Sequence, residues 1–321
     1  MRNSTDLAFT ADSNCGRVKE HTFSGALSFL RRRYSKDLQD VDVAVVGIPF
    51  DLATTNRPGT RFGPAAIRAA SAVMAWDRPY GCDYDPRDRL SIIDYGDVSF
   101  DFALTEQIPG TITEQIGTIV SAGVAPLSLG GDHWISLPAL RAVHGRHGPL
   151  SLVHFDAHTD TWEDEPGRIY HHGTMFRHAV NEGLIVPERS AQIGIRTYNE
   201  DTMGFHILDA PRVHAAGTDS VIEAVRTITA GHKVYVTFDI DCLDPAFAPG
   251  TGTPVSGGLS TAQAIAILMG LRGIDLVGAD VVEVAPAYDS AQMTALAAAH
   301  IGFLLLALYA EARSEGQTHR V

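Results

Sequence analysis

Apolar residues in this chain fall into short continuous runs separated by helical patterns, not into simple alternation. Eight such runs occupy residues 41–48, 90–94, 125–129, 150–155, 192–195, 205–208, 234–240 and 276–284. The first, Val41-Asp42-Val43-Ala44-Val45-Val46-Gly47-Ile48, is rich in β-branched residues and is closed by Pro49, as expected of a strand. Helical patterns occupy 64–76, 111–122, 220–229 and 260–271. Pro64 suits the first turn of its helix, and Ser136 is placed to cap the helix that follows Gly130-Gly131-Asp132-His133. Continuous apolar strands alternating with helices predict a mostly parallel sheet of about eight strands, covered on both faces. No internal repeat or linker rich in Pro, Ser or charge interrupts residues 41–315, so one domain is expected there. Residues 1–40 are expected to form a variable arm with a short helix at 26–34, its Arg31-Arg32-Arg33 run a solvated face.

Composition narrows the class. With 321 residues, 45% of them apolar, the chain is long enough for a sizeable core. A net charge of −13 argues against nucleic-acid binding and suits a cationic small molecule. Cys15, Cys82 and Cys242 have no CxxC spacing, which fits a reducing cytoplasm. Residues 1–25 carry no apolar core of a signal peptide. The longest apolar stretch, 294–310, is shorter than the roughly 20 residues of a membrane span, so it is expected to pack against the sheet or a neighbouring subunit.

The chemistry is concentrated where the runs end. Val153-His154-Phe155-Asp156-Ala157-His158-Thr159-Asp160 ends a run in three potential metal ligands spaced two apart. On an extended backbone Asp156, His158 and Asp160 would face one side. Buried together they would lose hydration and repel one another, and a cation would relieve both costs. His133 follows another run, Asp239 and Asp241 close a third, and Glu283 lies near the end of the last. A single aspartate after a strand is ordinarily a cap or turn residue, and His133 alone could be a turn histidine. The whole set would need a separate structural excuse for each member. Asp156, Asp160, Asp239 and Asp241 carry the charge to balance two divalent ions, and a donor set of oxygens and imidazoles without thiolate suits Mn²⁺.

Four motifs resemble those of the ureohydrolase (arginase–agmatinase) family: Gly130-Gly131-Asp132-His133, Phe155-Asp156-Ala157-His158-Thr159-Asp160, Asp239-Ile240-Asp241-Cys242-Leu243-Asp244-Pro245 and Asp280-Val281-Val282-Glu283-Val284. The resemblance runs from about residue 43 to 312. It implies a three-layer α/β/α fold, two Mn²⁺ ions per subunit and a homotrimer or homohexamer. It further implies hydrolysis of a guanidino group to urea and an amine. His133, Asp156, Asp160 and Asp239 would hold one ion, and Asp156, His158, Asp239 and Asp241 the other, with Asp156 and Asp239 shared. Asp160 would also orient the attacking hydroxide, His172 would pass a proton to the departing amine, and Glu283 would pair with the guanidinium. Trp134 departs from the small hydroxyl residue of many relatives, which bears only on local packing.

The loop 161–170 should read the far end of the substrate. It lacks the asparagine and serine that arginases use to hold an amino-acid carboxylate, and carries Glu163, Asp164 and Glu165 instead. Glu163 and Asp164 suit the ammonium of agmatine, although a solvated acidic loop face explains them equally well. Agmatine hydrolysis to putrescine and urea is therefore expected. The alternatives are a hydrolase of guanidino acids, with Arg168 or Arg196 holding a carboxylate, and a silent polyamine-binding protein.

Overall fold

The computed structural model describes residues 7–10, 13–17, 21–164, 166 and 170–318. Each of the eight apolar runs overlaps a strand. In chain order these are β2 (Val43–Ile48), β3 (Ile92–Asp97), β4 (Ala125–Gly130), β5 (Ser151–Phe155), β6 (Ala191–Ile193), β7 (His206–Leu208), β8 (Lys233–Asp239) and β9 (Asp275–Val282). A ninth strand, β1 (Arg33–Tyr34), precedes them. The sheet among the described residues runs β1-β3-β2-β4-β9-β8-β5-β6-β7, and every neighbouring pair is parallel.

The main helices are α1 (Gly63–Ser71), α2 (Ile108–Ser121), α3 (Ser136–His147), α4 (Met175–Asn181), α5 (Ala210–Thr229), α6 (Thr261–Gly270) and α7 (Met293–Thr318). Alternate strand residues point to opposite faces. Val43, Val45, Leu127, Leu129 and Val236 pack under α1, α5, α6 and α7, whereas Ala44, Val46, Leu152 and Tyr235 pack under α2, α3 and α4. Both faces are therefore dry, which is why the strands read as unbroken apolar runs. This is the three-layer α/β/α architecture.

Helix α7 is longer than the apolar stretch suggests. Residues Met293–Arg313 are long and apolar enough to cross a membrane by length and composition, yet most of this segment is buried in the fold. It packs against α1 and β9, as a core helix on the sheet.

Three local expectations are corrected. The segment 26–34 is no helix of that length: it forms a 3-10 turn at Phe29–Arg31 and then β1, which pairs with β3. Leu30 and Arg31 there have φ of 48° and 56°, a reversal that drives Phe29 and Leu30 into the core. Consequently Arg31 and Arg32 are buried, not solvated, and donate to the carbonyls of His21 and Gly16, both at 2.7 Å. Part of the arm thus belongs to the sheet. Finally, Ser136 does not cap α3. Its hydroxyl donates to Asp280 Oδ2 at 2.7 Å, and Asp132 caps the preceding turn by accepting from Trp134 N–H at 3.1 Å.

Candidate active site

The four strands β4, β9, β8 and β5 are neighbours at the centre of the sheet. Their C-terminal ends carry His133, Glu283, the Asp239–Asp241 pair and the 156–160 segment. Adjacency in the sheet, which no sequence spacing specifies, brings these groups to one crevice.

The loop after β4 depends on Gly131. A Cβ there would lie 2.2 Å from the Phe50 carbonyl oxygen and 2.6 Å from that of Ile48. The close approach lets Gly131 N–H donate to Ile48 O at 3.1 Å while its own carbonyl accepts from Glu283 N–H at 2.9 Å. His133 is thereby aimed inward. Its Nδ1 lies 3.0 Å from Asp156 Oδ2, 3.0 Å from Asp160 Oδ2 and 3.1 Å from Asp239 Oδ2. Its Nε2 is 2.8 Å from Thr237 Oγ1, and that hydroxyl spends its hydrogen on Asp280. Nε2 must therefore donate, so in neutral His133 the Nδ1 lone pair faces three carboxylate oxygens.

A second group lies beside the first. His158 Nδ1 is 3.2 Å from Asp156 Oδ1 and 3.1 Å from Asp241 Oδ2. Asp156 thus offers one oxygen to each group. Donor atoms about 2.1 Å from an octahedral cation lie about 3 Å apart. Both groups have that spacing, and His133 Nδ1 is buried without a properly aligned hydrogen-bond partner among the described residues. The donor set fits a pair of hard or borderline divalent ions.

The electrostatics agree. Burial, then repulsion from Asp241 and Asp156, holds the Asp239 carboxyl well above its ordinary range. Burial opposes charge on His158, but Asp241 and Asp156 push its pKa up to about 12. Without a cation, then, protons supply the missing positive charge.

The expected one-sided array is replaced by something different. Beyond β5 the chain bends at Ala157-His158, and Asp160 has a left-handed φ of 53°. Convergence of Asp156, His158 and Asp160 comes from this bend and from the hydrogen bond of His158 N–H to Asp156 Oδ1, 2.6 Å. The residue that does share the strand face is His154, which the sequence reading passed over. Gln192 Nε2 donates to its Nδ1 at 3.1 Å, so its Nε2–H donates to Asp156 Oδ2 at 2.6 Å. The signal was available, since His154 precedes Asp156 by one strand period.

Glu283 is fully buried with a φ of 64°, an unusual conformation for a glutamate. Its Oε1 accepts from His133 N–H and meets His172 Nδ1, both at 2.8 Å, while Oε2 is buried without a partner among the described residues. His172 Nε2 is 2.9 Å from Thr55 Oγ1. Burial disfavours charge on His172, but Glu283 outweighs it and raises the pKa to about 9. A cavity of about 120 Å³ is walled by His158, Asp160, His172, Asp239, Thr55 and Trp162, among others.

The two loop acids part company. Glu163 is exposed on an outer groove that shares Trp162 and His171 with the cavity. Asp164 is bonded to His178 of α4 at 2.9 Å, a contact that holds the loop. Trp134 packs against Phe50 and Tyr170 at ring separations of 5.3 and 4.6 Å.

Comparison with known proteins places this geometry in a family. A model of the arginase family matches residues 41–307. A curated agmatinase from Chromobacterium violaceum is 52% identical over 294 residues, 91% of each chain. A crystal structure of a hypothetical agmatinase from Burkholderia thailandensis superposes with a TM-score of 0.94 at 52% identity, covering 96% of this chain and 98% of that one. The proclavaminate amidino hydrolase of Streptomyces clavuligerus superposes with a TM-score of 0.85 at 37% identity, covering 91% of this chain and 100% of its own. The chain therefore belongs to the arginase family of hydrolytic enzymes, and the relatives it resembles include proteins named agmatinase.

Proposed function

We propose that this enzyme is a binuclear-manganese agmatinase that hydrolyses agmatine to putrescine and urea. The observation that carries the reading is one carboxylate, Asp156, shared by two donor groups beside the buried Oε2 of Glu283, which has no partner among the described residues. In this reading His133, Asp156, Asp160 and Asp239 hold one Mn²⁺, and Asp156, His158, Asp239 and Asp241 the other. When bound, such ions supply Lewis acidity and lower the pKa of water toward neutrality. Glu283 Oε2 accepts an N–H of the planar guanidinium and fixes its carbon over the carboxylate cluster. Asp160, at the cavity wall, orients the attacking oxygen. His172 delivers a proton to the departing amine. Its replacement in His172→Ala is expected to lower kcat by about 10²–10⁴-fold, the usual worth of a positioned proton donor. Steady-state urea release checks this, and full turnover would rule the role out.

The choice of agmatine over a guanidino acid is supported by what the arginines do. Arg196 donates to the carbonyls of Asp241, Val255, Gly194, Cys242 and Leu243 at 2.6–3.3 Å, so its fork is spent on the chain itself. Arg168, the other candidate for a carboxylate, lies outside the described residues. Glu163 on the outer groove suits an ammonium, whereas Asp164 is engaged by His178. A panel of agmatine, arginine, 4-guanidinobutyrate and 3-guanidinopropionate, assayed for urea with and without Mn²⁺, tests the reading. Agmatine should be the preferred substrate and activity should follow Mn²⁺. Preference for an acid would overturn the substrate, and no urea from any of them would favour a silent binder.

The reading carries with it a cytoplasmic homo-oligomer, a trimer or hexamer, without nucleic-acid or membrane partners. An apolar groove bearing the exposed Phe247 and Met293 beside α7 is consistent with contact between subunits.

A further inference from the structure

We propose that Thr55 is the outer link of a proton relay, passing protons between bulk water and Nε2 of His172. The proposal rests on the shuttle role argued for His172 and adds the route by which that histidine is recharged. A histidine that gives up a proton in each turnover must regain one, and His172 is itself almost wholly buried. Its Nδ1 side is closed by Glu283 Oε1 at 2.8 Å, on a glutamate with no solvent exposure. Its Nε2 side meets the hydroxyl of Thr55 at 2.9 Å, and Thr55 is exposed at the mouth of the same cavity.

The loop is held for this purpose. Ala53 N–H donates to Asp132 Oδ2 at 2.8 Å, and His172 N–H donates to the Ala53 carbonyl at 3.2 Å. Asn56 Nδ2 reaches the Gly252 carbonyl at 3.0 Å on the other side. Thr55 N–H also points at Nε2, at 3.3 Å, so in the discharged, neutral ring Nε2 accepts while Nδ1–H donates to Glu283. A hydroxyl both donates and accepts. Thr55 Oγ takes a proton from a hydronium ion or buffer acid as its own proton passes to Nε2. One O–H bond forms while another breaks, the histidine gains an N–H, and the hydroxyl is regenerated.

The test uses the full-length, Mn²⁺-loaded enzyme and the best substrate of the panel above, comparing Thr55→Val, Thr55→Ser and His172→Ala. Thr55→Val should lower kcat about 10- to 100-fold, at or below the roughly 10²-fold lower end of what a positioned proton donor contributes, since Thr55 acts only through His172. KM should stay within about twofold, and added imidazole should restore turnover in a concentration-dependent way, as a substitute proton carrier. Thr55→Ser should stay close to the parent rate. Wild-type kcat in Thr55→Val with loss in His172→Ala would overturn the relay and leave the shuttle standing. Full activity in both would instead remove the shuttle. A loss in Thr55→Val that imidazole does not relieve and that serine shares would mark Thr55 as packing alone, and the relay would be wrong.

Discussion

Asp239→Asn is expected to leave the metal-free fold intact while abolishing metal loading and turnover. Burial and the neighbouring Asp241 and Asp156 hold the Asp239 carboxyl well above its ordinary range, which favours its uncharged form in the metal-free protein. Asparagine imitates that state. Its Oδ1 can still accept from Asp241 N–H, a 2.8 Å bond in the parent. The midpoint of thermal unfolding without metal should therefore be unchanged or slightly raised. A ligand that binds only the folded state at 100 to 1,000 times its Kd adds about 2.7–4.1 kcal/mol, and this Mn²⁺-dependent gain should vanish in the variant. Turnover should fall at least by the roughly 10²–10³-fold that follows removal of one electrostatic stabiliser. Paired melting curves with and without Mn²⁺, with metal content measured after desalting, decide the matter. A variant that keeps its metal would show that Asp239 is no ligand.

Metal binding should also expel protons, and its affinity should climb steeply with pH. In the metal-free site Asp241 and Asp156 outweigh burial and hold His158 protonated up to about pH 12. Burial likewise opposes charge on His133, but Asp156, Asp160 and Asp239 raise its pKa well above the ordinary value. A cation competes with each of these protons, so affinity should rise about tenfold per pH unit for each proton displaced. Calorimetric titration of the metal-free protein with Mn²⁺, in buffers of different ionisation enthalpy, counts the protons. At least one per ion is expected at neutral pH, and none would contradict the proposed ligands. The stability of the metal-free protein has the opposite slope. The contribution of His158, whose folded pKa is raised, is fully present below about pH 6.5 and is lost as pH rises toward 12. Alkali should therefore weaken the metal-free fold while strengthening metal binding, and the loaded fold, which like the unfolded chain carries no proton on His158 above about pH 6.5, should change little with pH there.

The architecture was largely legible in the chain because burial on both faces leaves strands continuously apolar. All eight runs became parallel strands, and Pro64 sits in the first turn of α1 as its fixed φ requires. The exceptions have local causes. At 26–34 two positive-φ residues reverse the chain and bury guanidinium groups against backbone carbonyls, an outcome that propensity does not report. The two-residue β1 is too short to show a period, and only its pairing with β3 defines it.

The candidate ligands were likewise visible, since carboxylates and imidazoles at the ends of apolar runs are costly without a purpose. Sequence by itself determined which residue types stand at the strand ends and that the sheet carrying them is parallel. Tertiary structure alone decided their company. The order β4-β9-β8-β5 joins groups up to 150 residues apart, as the hydrogen bond from His133 N–H to Glu283 shows. It also set His154 behind Asp156, tied up Arg196 and Asp164, and put an exposed threonine against a buried histidine. The reason is physical: period and composition report how each segment meets solvent, whereas distances between segments follow from strand order and loop packing, which no single segment encodes.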